Sequence, residues 1–160
     1  MLHVVKVLAV ALVVVFIAQL LWRRWRTAQK QAQRQLAMLE FADPNSTNHR
    51  DSLQSEFLKA ATGTGKPRGL EWKQCDLHEG QLFAIDRVNG ELFALVGTTI
   101  GFAAIPGGGM EDVEAVSNLR CATAIFVHRL GRWTTDGRVV FNLEPPQALE
   151  RYQESLQRIE

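Results

Sequence analysis

A nearly unbroken apolar run opens the chain and constrains everything that follows. Residues Val7 to Trp22 hold one polar side chain, Gln19, between Lys6 and Arg23. As a helix that run rises about 24 Å, short of a hydrocarbon core of about 30 Å. Extension back to Leu2 lengthens it to about 31 Å. Lys6 then lies where its ammonium can snorkel to headgroups. Trp22 and Trp25 stand where an aromatic belt anchors the far end. The run predicts a transmembrane anchor over residues 2–22. A buried core helix is disfavoured because nothing amphipathic interrupts the run. A cleaved signal is disfavoured because bulky, then basic, Leu20-Leu21-Trp22-Arg23-Arg24 follows where a small-x-small site is needed.

The flanks set orientation. Arg23, Arg24, Arg26, Lys30 and Arg34 follow the span before the first acid, Glu40. Positive charge stays cytoplasmic, so a single-pass signal-anchor with a cytoplasmic C-terminal domain is expected. Trp22, Arg23, Arg24, Trp25 and Arg26 become the expected membrane-interface residues. Membrane lipid is the expected partner of this collar, at about 1 kcal/mol per Lys or Arg.

Whole-chain charge hides this asymmetry. The 160 residues carry 18 basic and 17 acidic side chains, net +1. Residues 23–43 hold five positive and two negative groups, whereas residues 67–160 hold nine and thirteen. An acidic body opposes phosphate, so nucleic acid is not an expected partner. Arg129, Arg132, Trp133 and Arg138 make only a small basic cluster. Two Cys exclude a disulfide-dense scaffold.

Beyond the span, residues 23–43 read as a basic juxtamembrane helix, free of Gly and Pro. Ala28, Ala32, Leu36 and Leu39 form its thin apolar stripe. Asp43-Pro44 ends it, and residues 44–50 read as a linker. Asn45-Ser46-Thr47 fits the glycosylation pattern, which a cytoplasmic placement makes irrelevant. A helix is expected over 51–62, with Leu53, Phe57, Leu58 and Ala61 as its apolar face. Gly63-Thr64-Gly65-Lys66 is only a fragment of a phosphate loop. The required first Gly and the final Ser or Thr are replaced by Ala60 and Pro67, so nucleotide binding is rejected.

From Leu70 the pattern is β. Runs at Leu70–Leu77 and Gln81–Val88 precede Asn89-Gly90, the strongest short hairpin signal. Glu91–Ile105 is long for one strand, and Gly97 or Gly101 is expected to bend or bulge it. Leu119–Leu130 is a further β run. Trp133–Thr135 and Arg138–Leu143 flank Asp136-Gly137, a second hairpin signal. Links this short demand antiparallel pairing. Pro145-Pro146 opens a last amphipathic helix over 146–159, with Ala148, Leu149, Tyr152, Leu156 and Ile159 on one face. The expected fold is therefore α+β: an N-terminal transmembrane helix, a helical stalk, and a small antiparallel β-sheet packed against a C-terminal amphipathic helix. The domain spans 51–160, with its sheet over about 70–143.

Few chemistries remain. His3, His49, His78 and His128 have no metal-ligand spacing among themselves or with Cys75 and Cys121, so no metal and no cofactor is expected. Gly-x-Ser-x-Gly is absent, and a Cys–His pair has no sequence adjacency to support it. Pro106 to Met110 is the part least explained by core packing, within the exposed segment Pro106, Gly107, Gly108, Gly109, Met110, Glu111, Asp112. Its three Gly favour a mobile tip. It is the candidate loop for a protein partner. The chain is expected to be a non-catalytic, membrane-anchored interaction protein rather than an enzyme. The alternative is a ligand-binding or enzymatic domain with its pocket between the sheet and the last helix, near the small residues of 97–104 and 121–124.

Overall fold

The computed structural model describes the backbone of residues 2–43, 47–64 and 69–159, and side chains within 14–43, 49–63 and 69–159. Contacts divide the chain into two units, Met1–Leu36 and Ala37–Glu160. The first unit is helical throughout its described length, within α1 (Leu2–Ala42). In it the guanidinium of Arg26 lies 3.7 Å from the centre of the Trp22 ring, one turn back.

The predicted anchor requires correction, and with it the single-pass membrane architecture. Among the described residues no helix is long and apolar enough to cross a membrane. From Val14, where described side chains begin, the apolar stretch runs only to Trp22, about 13 Å of helix. Arg23, Arg24 and Arg26 follow at once. The side chains of the first part of the run, residues 2–13, lie outside the described residues, as does the glycosylation pattern's Asn45-Ser46.

The second unit is an α+β domain around one antiparallel sheet. Its strands are β1 (Leu70–Asp86), β2 (Leu92–Ala104), β3 (Arg120–Arg129), β4 (Arg132–Thr134), β5 (Val139–Phe141) and β6 (Leu156–Ile159). The order is β4-β3-β2-β1-β6, with β5 also on β3. β2 is the central, most buried strand, and its alternation splits the core. Leu92, Ala94 and Val96 meet Leu53, Phe57 and Ala61 of α2 (Thr47–Thr64). Phe93 and Leu95 meet Ala148 of α3 (Pro145–Arg151) on the other face. The last turn of α1 joins the α2 side through Ala37, Met38 and Phe41, and the Trp133 indole donates to the Ala37 carbonyl at 2.9 Å. The thin stripe read from the sequence does not make this contact. Leu36 and Leu39 are 67% and 68% exposed.

Asn89-Gly90 does make its hairpin. Asp86 Oδ1 accepts from the backbones of Val88 and Asn89, and Gly90 takes φ 71°. Asp136-Gly137 does not. β4 and β5 pair in succession with the same edge of β3. The second hairpin is instead β3–β4, turning at Leu130-Gly131, where both φ are positive (52° and 78°). That is the type I′ pattern, which suits Asn-Gly and strains Leu. Leu130 is fully exposed, at 101%. Leu130→Asn should therefore raise stability by about 1 kcal/mol, read as a higher urea midpoint at unchanged slope.

Two further expectations change. β2 runs without a bulge through Gly97 and Gly101. The register shifts lie in β1, between Trp72 and Gln74 and between Leu77 and Gln81. The last helix ends at Arg151, and β6 follows where its second half was expected. Leu156 and Ile159 pair with Asp86 and Phe83. Arg87 ties the turn by donating to the carbonyls of Ser155 and Gln153. The open edge of β1 offers backbone partners that further helix would leave unused.

Acid should loosen this domain at the first hairpin. Backbone donors from Asn89 and Val88 hold the Asp86 carboxyl below its ordinary range, and Arg129 does the same for Glu91. Lowered native pKa values mean stability that is whole above the ordinary carboxylate range, near pH 4, and lost as pH falls through the lowered values. The urea midpoint should decline below about pH 4.5. Asp86→Asn should flatten part of that decline.

Candidate functional site

The sheet separates the residues that sequence inspection grouped as potential ligands or nucleophiles. Cys75 is buried opposite Ile100, its Sγ 3.3 Å from Thr98 Oγ1. Burial pushes its thiol up. Cys121 lies opposite Thr99, the neighbouring residue of β2, and so on the other face. Both cysteines are free. His128 packs beside Trp133, ring centres 5.3 Å apart. His78 comes to the Cys121 face, sharing a 2.7 Å hydrogen bond between Nε2 and Thr99 Oγ1.

Gly97 and Glu144 bring His78 and Cys121 into one neighbourhood. A Cβ on Gly97 would stand 3.1 Å from His78 Nδ1 and 3.4 Å from Glu144 Oε2. Cys121 donates its S–H to Glu144 Oε1 at 2.7 Å. Glu144 also caps α3 through a capping box with Gln147, whose Oε1 accepts from the Glu144 backbone at 3.0 Å. The capping box fixes the carboxylate where the thiol can reach it. That hydrogen bond, with some desolvation, raises the Cys121 thiol above its ordinary value. A nucleophilic cysteine needs a stabilised thiolate, the opposite arrangement. Among the described residues no three His, Cys, Asp or Glu side chains are placed to hold a metal ion.

The exposed Cys121 should accordingly alkylate slowly at neutral pH. Glu144→Gln removes the charge and keeps the shape. It should speed iodoacetamide modification of Cys121 several-fold at pH 7.5, followed by mass spectrometry. Cys75 stays unmodified and serves as the internal control. An unchanged Cys121 rate would refute the coupling.

A pocket of about 330 Å3 does lie beside the last helix, lined by Leu82, Arg87, Leu149 and Leu156, but not at the small residues expected to open it. Gly97 faces the His78 ring and Glu144, and Gly101 faces Gln74 and Leu119. The small residues serve close packing on that face. A cavity of about 450 Å3 lies on the opposite side, between α2 and β1.

The loop Pro106–Asp112 is exposed except at Met110, which packs against the cluster of Ile100, Phe102, Val116 and Ala122. It is tied internally. The Gly108 N–H donates to the Ile105 carbonyl at 2.8 Å, and Val113 donates to Met110 at 3.2 Å. The Glu111 carboxylate accepts from the Gly107 N–H. Its own backbone N–H and that of Gly107 hold the Glu111 carboxyl below its usual range. A Cβ on Gly108 would stand 2.6 Å from Gly69 Cα, so this glycine permits a close backbone crossing.

Comparison with protein-family models, curated proteins and solved structures returned no match. The reading of the site therefore rests on its geometry.

The basic cluster on β3–β5 is largely paired. Arg129 makes two bonds to Glu91, at 2.6 and 2.9 Å, and Arg138 bonds Asp136 at 2.8 Å. Trp133 is buried. In the first unit Trp22 and Trp25 are more than half exposed. Arg23, Arg24 and Arg26 are exposed beside them. Sequence inspection overlooked Glu144 and Arg50. Glu144 carries a readable signal: Glu-Pro-Pro-Gln places an acid at the cap and Gln three residues later. Arg50 donates to the His78 carbonyl, a contact across 28 residues that no local pattern announces.

Proposed function

We propose that the chain is a non-catalytic interaction protein whose folded unit offers the loop Pro106–Asp112 to a protein partner. The observation that carries this reading is a loop that is exposed yet internally tied. A preordered loop loses little conformational entropy on docking. Exposed Val113 stands between the acids Asp112 and Glu114, with Glu111 just before, so the partner surface is basic with an apolar centre. The Glu144 carboxylate beside Cys121 disfavours a thiolate there, which supports the non-catalytic part. A photo-crosslinking residue at position 113 of the full chain, activated in cells, tests the proposal. A discrete adduct should form and be lost on Asp112→Lys. An adduct indifferent to that charge reversal, or no adduct, would count against the loop.

A second reading, a small-molecule binding site, is favoured by one specific observation, the cavity beside α2.

A further inference from the structure

The cavity of about 450 Å3 falls within the size range of small-molecule sites. Its apolar wall is made by Phe41 at the end of α1, Leu53 of α2, Leu77 of β1 and Val96 of β2. The space follows from the register shift between Leu77 and Gln81, where β1 leaves regular pairing with β2. Two α2 side chains hold the irregular segment. Gln54 Oε1 accepts from the Leu77 N–H at 3.2 Å, and Arg50 donates to the His78 carbonyl. The edge groups of β1 at this point are therefore engaged by side chains, and the shift is anchored.

The cavity also carries both signs of charge. Arg50 lines it together with Asp43 and Glu79. A simple anion would meet the Glu79 carboxylate, and a simple cation would meet the Arg50 guanidinium. An uncharged apolar molecule would bury polar groups without compensation. One guanidinium, the Glu79 carboxylate and an apolar wall suit a ligand with a carboxylate, an ammonium and an apolar body. We propose that this cavity binds a free amino acid with a large apolar side chain. Arg50 takes the carboxylate, Glu79 takes the ammonium, and Phe41, Leu53, Leu77 and Val96 receive the side chain. This inference rests on the second reading above and is independent of the loop Pro106–Asp112.

Titration calorimetry of the full chain with L-leucine and L-phenylalanine is the test. Leucinamide and 4-methylpentanoate, each lacking one charge, are the comparison ligands. At least one amino acid should bind below about 10 mM, with each single-charge analogue at least about tenfold weaker. Arg50→Gln should weaken the amino acid by about tenfold. Leu77→Trp, which fills the cavity, should abolish binding. Should Leu77→Trp fail to fold, Glu79→Gln gives the second readout, a selective loss for the amino acid over 4-methylpentanoate. No heat with either amino acid overturns the proposal. So does equal binding of the single-charge analogues, or a dissociation constant untouched by Arg50→Gln.

Discussion

Replacing Gly137 with Ala should cost the second unit about 3–5 kcal/mol, a loss large enough to unfold many domains of this size. Gly137 has φ 76°, which strains any L side chain. More decisively, a Cβ there would stand 2.3 Å from the Ala61 nitrogen and 2.6 Å from the Ala60 carbonyl carbon. These are helix backbone atoms and cannot swing aside. The turn cannot retreat easily either. Thr135 Oγ1 donates to the Ile125 carbonyl at 2.8 Å, the Gly137 N–H donates back to Thr135 Oγ1 at 3.1 Å, and Ile125 donates to the Arg138 carbonyl at 3.1 Å. Gly131→Ala is the control. Gly131 has φ 78° but nothing within 4 Å of its notional Cβ, so it isolates the backbone strain at about 1 kcal/mol. Urea unfolding of both variants gives the contact energy as their difference. Equal losses would show that α2 does not approach the turn so closely in solution.

Gly137 also shows why one part of the fold was misread. Asp-Gly between β-rich runs is a hairpin signal only when the runs pair with each other. Here the flanking strands share a third, β3, and the glycine serves helix contact. The true hairpin turn, Leu130-Gly131, has a residue that disfavours it, so composition pointed away. The end of the chain failed for a related reason. Spacings of three and four suited Leu156 and Ile159 to a helix, but the free edge of β1 offered a partner. Long-range pairing overrode local period. The apolar face of α2 was legible because Leu53, Phe57 and Ala61 recur at helical spacing without a competing stripe. The end of α1 had two such stripes, and tertiary contact selected Ala37, Met38 and Phe41.

The site was less legible than the fold. Which sheet face receives Cys75 or Cys121 depends on register, because each single-residue step reverses the side chain. The β1 shifts break that alternation twice, and one of them falls between Leu77 and Gln81, which both line the cavity. Nothing local in the sequence reveals a shift of this kind. Loop Pro106–Asp112 was located from its glycines, but those glycines were read as freedom. In the fold, Gly108 permits a close crossing at Gly69, and Glu111 closes the loop on Gly107. Glycine content alone does not distinguish a mobile loop from one that glycine allows to pack.

Phe126→Ala should remove about 3–5 kcal/mol, comparable to the Gly137 change and for a different reason. Phe126 is fully buried on β3, with Phe41 at 5.7 Å and Phe57 at 5.9 Å between ring centres. It is where α1's last turn, α2 and the sheet meet, so its loss leaves a cavity touching all three. Its backbone is fixed by pairing to Ala94 on the central strand, which limits collapse into that space. Phe57→Ala alone should cost about as much, since Phe57 is also fully buried. The two rings touch, so their effects should not add. The double variant should fall short of the summed losses by about 0.5–1.5 kcal/mol, the range for aromatic pairs. Denaturation of all four proteins, by far-UV circular dichroism, closes the cycle. Additivity within about 0.3 kcal/mol would mean that α2 and β3 hold separate cores. A coupling of the expected size would place the energetic centre of the unit on the α2 face of the sheet.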